Sequence, residues 1–522
     1  MDLRDLVADD RTSLKSTAGV DRQGYRAIVD YLRRYRFWAE AGSADPQVWD
    51  HQQAATCLLA AYLSADRAIP REDIKNEAAL VKMATGAGKS AVITILCRCI
   101  PSVRRTLIVT PRSALTDQIY TYIRTKFWKI MGLTATARST YVDAEGDEAG
   151  APVEGAYIAH LLPSQIETIL GHAPPFPERV VLVGTLQALD QIRRTAEEPL
   201  GEDDTKNRQI IEAGRILEMI GGFDLVVVDE GHYEPAISWS RAIRRMDLPT
   251  VLFSATPYRN DYKSFRVRGR FVFNQSIQEA LEQRIIRTPE FAGLAMVEAP
   301  PSAAFESVAQ PQMLAIEEEE DGSDDRALTD QEKADARGFA RCLVHQLRDV
   351  AVPEGIENWK VIVRAEQLPK LILLQRLLKE LTGQDALVIH HAVKTKSQSK
   401  LQFQTVKSAQ ASDRSDKARF WLHETKLLEG VDDPSFVAVA IYDNFGNARQ
   451  LIQQIGRVLR SSDFSRKKDQ KAYVLARLRH IEAIKDSWAR YLEFEDYCAT
   501  NTQHVVISEA VNRAGFAGGS NS

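Results

Sequence analysis

Residues 84–90 read ATGAGKS, a run suited to holding a chain of phosphates. A short apolar stretch leads into it and another begins straight after, so the order reads strand, glycine turn, helix start. That order aims backbone N–H groups at anionic oxygens. Gly86 and Gly88 permit the tight turn and close approach, with Thr85 and Ala87 completing the cradle. Lys89 is placed to reach the β- and γ-phosphates of ATP and the Ser90 hydroxyl to hold Mg²⁺. The strict G-x-x-x-x-G-K-[ST] pattern asks for glycine at 83, where this chain has Met83.

Two further groups complete a hydrolytic set. The run LVVVDEGH ends an apolar strand in adjacent carboxylates, Asp229 and Glu230. The first can coordinate Mg²⁺ through water, and the second can activate the attacking water. In QQIGRVLR, residues 453–460, Arg457 and Arg460 stand three apart, so a helix would project both from one face. Arginines brought from another domain stabilise the γ-phosphate only when the domains close, which predicts an ATP site at a domain seam and an ATP-driven switch.

These residues need a scaffold. From about residue 78 short apolar runs (AALVKM, TLIVT, VVLVG, LVVVD, TVLFSAT) alternate with helical stretches, the pattern of a parallel sheet covered on both faces. A second set follows, KVIVRAE, LPKLILLQRLLKEL, ALVIHH and FVAVAIYD, beyond a polar stretch containing EEEEDGSDD. The expected fold is α/β, two tandem RecA-like parallel-sheet domains with a short helical N-terminal extension. The boundaries predicted are 1–47 for that extension, where Tyr25, Ile28, Val29, Tyr31, Leu32, Tyr35 and Phe37 fall near helical spacing. Then come 48–295 for the first domain, 296–334 for an acidic linker, 335–480 for the second domain and 481–522 for a helical tail.

Composition narrows the class. Of 522 residues, 44% are hydrophobic and 26% charged, enough for two or three cores. The opening MDLRDLVADD is acidic, with no apolar core of signal-peptide length, and no run of membrane-span length follows. Five cysteines offer neither a disulfide framework nor a zinc cluster, and the Cys97/Cys99 pair reads as packing. A cytoplasmic protein is expected. The net charge of −4 does not advertise a nucleic-acid binder, yet a motor needs only a local basic groove. Arg259, Lys263, Arg266, Arg268 and Arg270 form one basic group and Arg466, Lys467, Lys468 and Lys471 another, either of them a groove or a solvated face.

In this order the residues resemble the motif series of superfamily 2 helicases, most of all the helicase (Res) subunits of type III and type I restriction enzymes. ATGAGKS resembles motif I, in a branch that often lacks the first glycine. VTPRSALTDQ is similar to motif Ia, VGTLQAL to Ib, DEGH to II, FSATPYRND to III, KVIVRAE to IV, TKLLEGVDDP to V and QQIGRVLR to VI. The resemblance spans roughly residues 48 to 480. It implies that Glu230 is the hydrolytic base, that Arg457 and Arg460 face the γ-phosphate, and that Gly430 and Asp432 belong to the nucleotide site. His232, Ser254, Thr256 and Gln453 are the implied coupling residues. For the glutamine that reads adenine, WDHQQAA offers Gln52 or Gln53, with Gln52 preferred. Thr110, Arg112, Thr185, Gln187 and Thr425 are then contacts to one strand's backbone, which position a strand without reading its sequence.

The expected activity is ATP-dependent movement along nucleic acid, DNA ahead of RNA, as the motor part of a bacterial restriction or anti-phage system. An RNA helicase, or an ATP-gated nucleic-acid sensor without unwinding, is the alternative. No Asp…Glu-x-Lys nuclease cluster is evident, so any cutting would need a separate nuclease partner.

Overall fold

The computed structural model describes residues 31–32, 35–38, 48–63, 79–132, 134–137, 141–145, 153–171, 179–230, 243, 246, 248–256, 273–294, 328–353, 356–393, 400–428, 431–446, 448–461 and 469–500. The chain divides into two compact units. The first comprises Met1–Ile286, Asn447–Arg449 and Ala489–Ser522, and the second Arg287–Gly446 and Gln450–Trp488.

The first unit is built on β1 (Ala79–Lys82), β2 (Arg105–Thr110), β3 (Thr134–Ala137), β4 (Tyr141–Glu145), β5 (Val153–Leu161), β6 (Arg179–Thr185), β7 (Leu225–Asp229), β8 (Thr250–Ser254) and β9 (Phe273–Asn274). They form one sheet in the order β3-β4-β5-β6-β2-β7-β8-β1-β9. From β5 through β6, β2, β7, β8 and β1 to β9 every pairing is parallel, and β4, between β3 and β5 near one edge, is antiparallel to both. The central runs are buried along their length, as in β7, where every residue of LVVVD is covered. A strand buried on both faces cannot alternate polar with apolar, and this is why LVVVD and TVLFS read as unbroken apolar runs.

Helices cover the sheet: α1 (Asp50–Tyr62), α2 (Lys89–Cys99), α3 (Ser113–Thr121), α4 (Leu186–Ala196) and α5 (Asp204–Gly221). From Ala91 to Cys99 α2 is buried on every side. Cys97 and Cys99 are free and buried, as the packing reading expected, and burial pushes the Cys97 thiol up to about 12. Of the expected helical N-terminal extension, the described residues are helical at Tyr31 and Leu32. Arg36–Trp38 form a 3-10 turn, and Phe37 turns inward onto Phe127 and Trp128, with ring centroids 5.4 and 6.1 Å apart.

The second unit holds β10 (Thr288–Leu294), β11 (Lys360–Arg364), β12 (Ala386–Ile389), β13 (Gln402–Phe403), β14 (Phe420–His423), β15 (Phe436–Ile441) and β16 (Lys471–Arg477), in the order β10-β16-β15-β11-β14-β12-β13. Every pairing in this sheet is parallel. Helices α6 (Asp330–Gln346), α7 (Leu368–Thr382), α8 (Ala448–Val458) and α9 (Leu478–Thr500) follow the same chain. The fold class is the expected one, two RecA-like parallel-sheet domains in tandem.

The boundaries shift. A first domain ending at 295 is too long, because β10 pairs along its whole length with β16 of the second sheet. A linker reaching 334 is also too long. Thr329 caps α6 through a reciprocal bond pair with Glu332, so the helix begins inside the stretch read as spacer. The tail expected at 481 starts within α9, whose residues from Ala489 onward belong to the first unit. Among the described residues no helix is long and apolar enough to cross a membrane.

Candidate active site

Because β1, β8 and β7 are parallel neighbours, their carboxyl ends share one edge. Lys82 stands level with Ser254, and Phe253 with Asp229. The phosphate loop, Asp229 and Ser254 therefore converge across three adjacent strands, at roughly 5 Å per strand step. In open α/β sheets this edge is where ligands bind.

The loop leaves β1 with the Met83 amide donating to the Ser254 carbonyl at 3.2 Å. Gly86 (φ 89°) and Gly88 (φ 81°) both take left-handed backbone, which a side chain would strain. Helix α2 then starts at Lys89 with no side-chain cap on its first amides. Open amides at a helix start are donors for an anion. Met83 is fully buried and does not disturb this geometry.

Helix α1 buttresses the loop. Gln52 Nε2 donates to the Ala87 carbonyl at 3.1 Å, while its Oε1 accepts from the Trp49 amide at 3.1 Å. His51 Nε2 also lies 2.7 Å from the Ala87 carbonyl. Gln53 turns away and donates to the Val48 carbonyl at 3.0 Å. Of the two glutamines only Gln52 reaches the loop.

Asp229 is 7% exposed, and Glu230 beside it is half-buried with left-handed backbone, φ 54°. Such backbone costs a non-glycine residue on the order of 1 kcal/mol, and an outlier beside a phosphate loop is a functional signal. The donors near Ser90 and Asp229 are hydroxyl and carboxylate oxygens, which fit Mg²⁺. Ser254 and Thr256 are buried, with the Thr256 amide donating to Ser254 Oγ at 3.1 Å. His232 lies outside the described residues.

Strands β2 and β6 end on the same edge, Thr110 level with Thr185. Arg112 and Gln187 are exposed there. Thr185 Oγ1 accepts from the Ala188 amide and caps α4. Thr110 is fully buried, with its hydroxyl 2.6 Å from Thr116 Oγ1 and donating to the Arg112 carbonyl. That placement makes Thr110 a shaper of the turn carrying Arg112, not a surface contact.

In the second unit Arg457 is buried, donating from Nε to the Leu428 carbonyl at 2.9 Å and from Nη1 to the Val431 carbonyl at 3.0 Å. Arg460 pairs with Asp432. The expectation that one helix carries both arginines fails, since α8 ends at Val458 and Arg460 lies beyond it. Gln453 is buried on α8 and Thr425 exposed beyond β14. Gly430 lies outside the described residues, as do Arg259–Arg270 and 466–468 of the basic groups; Lys471 pairs with Glu290.

The sequence reading missed three features. His51 was passed over although it sits on the loop. Lys82 and Glu495 form a buried ion pair directly beneath it. His390, His391 and Glu424 bring their donor atoms within 4.8 Å of one another at the ends of β12 and β14. The Ala392 amide donates to His390 Nδ1 at 3.2 Å, which leaves the ring proton on Nε2, facing Glu424 at 2.9 Å. A neutral ring so bonded has no lone pair for a cation; burial, the largest influence, lowers the His390 pKa.

Residues 46–259, which include the phosphate loop and the Asp229–Glu230 pair, match the family described as Type III restriction enzyme, res subunit. The matched segment lies within the first unit. A viral protein named "Putative helicase 22", from Sulfolobus islandicus filamentous virus (isolate Iceland/Hveragerdi), is 23% identical over 270 residues, 49% of this chain and 43% of its own length. Among solved structures, the ATP-dependent Type ISP restriction-modification enzyme LlaBIII bound to DNA is 14% identical with a TM-score of 0.48, over 82% of this chain and 27% of that one. S. cerevisiae Dbp5 bound to RNA and ADP BeF3 is 13% identical with a TM-score of 0.44, over 87% and 94%. The match thus spans less than half of the viral relative and about a quarter of LlaBIII. The runs read as motifs I, Ia, Ib and II fall inside the matched segment, and the run read as motif III begins inside it.

Proposed function

We propose that the protein is a superfamily 2 motor that hydrolyses ATP to move along nucleic acid, with DNA the preferred track. The observation that carries this reading is the shared edge of β1, β8 and β7, where a phosphate loop with two left-handed glycines faces Asp229 and Glu230. The loop amides and Lys89 bind the phosphates, and Asp229 with Ser90 would hold Mg²⁺, which supplies charge neutralisation at the β- and γ-oxygens. Glu230 takes the proton of the attacking water. Arg457 and Arg460 are the candidate stabilisers of charge on the transferred phosphoryl group.

DNA is favoured because the family matched is that of restriction-enzyme subunits. Arg112, Thr185, Gln187 and Thr425 are the candidate backbone contacts. A role in restriction or anti-phage defence, with a separate nuclease as partner, follows from the same likeness.

The deciding experiment measures ATP hydrolysis by the full chain with single- and double-stranded DNA and RNA at several salt concentrations. Stimulation by DNA that weakens steeply as salt rises is expected, with loss of activity in Lys89→Ala and Glu230→Gln. Hydrolysis that is indifferent to every nucleic acid, together with no binding to any, would refute the motor reading; stimulation by RNA alone would reverse the track. A strand-displacement assay run beside a translocation assay separates unwinding from movement or sensing.

A further inference from the structure

Directly beneath the phosphate loop, a buried ion pair ties β1 to a helix from much later in the chain. Lys82, the last residue of β1, and Glu495, on α9, are each 1% exposed, and Lys82 Nζ lies 2.9 Å from Glu495 Oε1. Lys82 Nζ also donates to the Gln275 carbonyl at 3.2 Å, and the Gln275 amide donates to the Lys82 carbonyl at 3.0 Å. The second Glu495 oxygen, Oε2, accepts from the Ile277 amide at 2.8 Å. One carboxylate thus grips the end of β1 and the segment after β9 together.

A buried pair of this kind is a poor source of stability, since apolar residues of equal volume often serve as well. What charge adds is direction. Lys82 is followed at once by Met83, whose amide is bonded to Ser254, so the chain enters the loop at an angle held from both sides. Removing only Glu495 leaves an ammonium buried without its counter-charge, and the cheapest response is for the end of β1 to move toward water. That movement would carry the loop with it.

We propose that Glu495 is a positioning residue for the phosphate loop, acting through Lys82. The inference rests on the nucleotide reading of the loop, and it makes the α9 segment part of the ATP site's support.

The test uses full-length Glu495→Gln, with Leu374→Ala in the core of the second unit as a control that lowers stability elsewhere. Three quantities are measured: the unfolding temperature, the Kd for a fluorescent ATP analogue well below it, and hydrogen exchange of amides 83–90 without nucleotide. Glu495→Gln is expected to raise Kd about tenfold, roughly 1.4 kcal/mol, and to speed exchange in the loop. Leu374→Ala should lower the unfolding temperature and leave both other readouts alone. If Glu495→Gln fails to fold, Lys82→Met/Glu495→Gln, which buries no charge but lacks the directional pair, takes its place: a raised Kd and faster loop exchange support the positioning role, and wild-type values overturn it. A lower unfolding temperature with wild-type Kd and wild-type loop exchange makes the pair merely structural and overturns the proposal. If the wild-type protein binds no analogue, the nucleotide reading falls by itself, and loop exchange alone decides: unchanged exchange overturns the positioning role too.

Discussion

Gln52 lies so close to Gly88 that a Cβ built on the glycine would meet Gln52 Nε2 at 2.0 Å. The glycine is thus required by its left-handed backbone, and a side chain there would also push the Gln52 amide off the loop. Gly88→Ala should lose nucleotide binding by at least about tenfold and cost on the order of 1–2 kcal/mol of stability from backbone strain alone. Adding Gln52→Ala removes the collision but not the strain, so the double variant should recover only part of the loss in a titration with a fluorescent ATP analogue.

Gln52 and Gln53 separate in the same assay. Gln52→Ala removes a bond to the loop and should weaken ATP binding and narrow its advantage over GTP in competition. Gln53→Ala breaks only the bond to Val48, and should cost about 1 kcal/mol of stability with unchanged nucleotide choice. Equal selectivity in both variants would remove Gln52 as the adenine reader.

The two arginines should also part company. Arg457→Gln strands the Leu428 and Val431 carbonyls inside the second unit, an expected loss of about 3 kcal/mol in denaturant unfolding. Arg460→Gln breaks a partly exposed pair with Asp432 and should cost about 1 kcal/mol or less, while ATP turnover falls at least tenfold. Normal turnover in Arg460→Gln would leave its role to the Asp432 contact alone.

His423 supplies a pH signature. Fully buried at the end of β14, it has its pKa lowered from 6.5 to about 3, first by burial and then by the Arg364 charge. Above pH 6.5 the ring is neutral folded or unfolded and stability does not depend on it. As pH falls from 6.5 toward 3 the unfolded chain takes up a proton that the folded chain refuses, so stability declines. By pH 5 the loss should be about 2 kcal/mol, measured by denaturant unfolding and absent in His423→Gln.

How much of this was readable beforehand depended on the distance over which each feature is encoded. The phosphate loop and the Asp229–Glu230 pair are local: apolar strands ending in glycines or carboxylates announce themselves within ten residues. Strands β3 and β4, TATA and YVDAE, carry too few apolar residues to signal a sheet edge. The placement of β10 was hidden because TPEFAGL is only partly buried and gains its partner, β16, from far along the chain. Arg460 was misjudged because spacing of three implies a shared helical face only while the helix lasts. The nearness of Glu495 to Lys82 has no local trace at all.

That last contact also bears on how the protein comes into being. A ribosome delivers Lys82 long before Glu495, and the whole second unit is synthesised in between. Until α9 has emerged, the Lys82 ammonium lacks the Glu495 carboxylate. The first unit is therefore completed only after the segment inserted into it has been made, and a nascent chain lacking α9 lacks the carboxylate that meets Lys82.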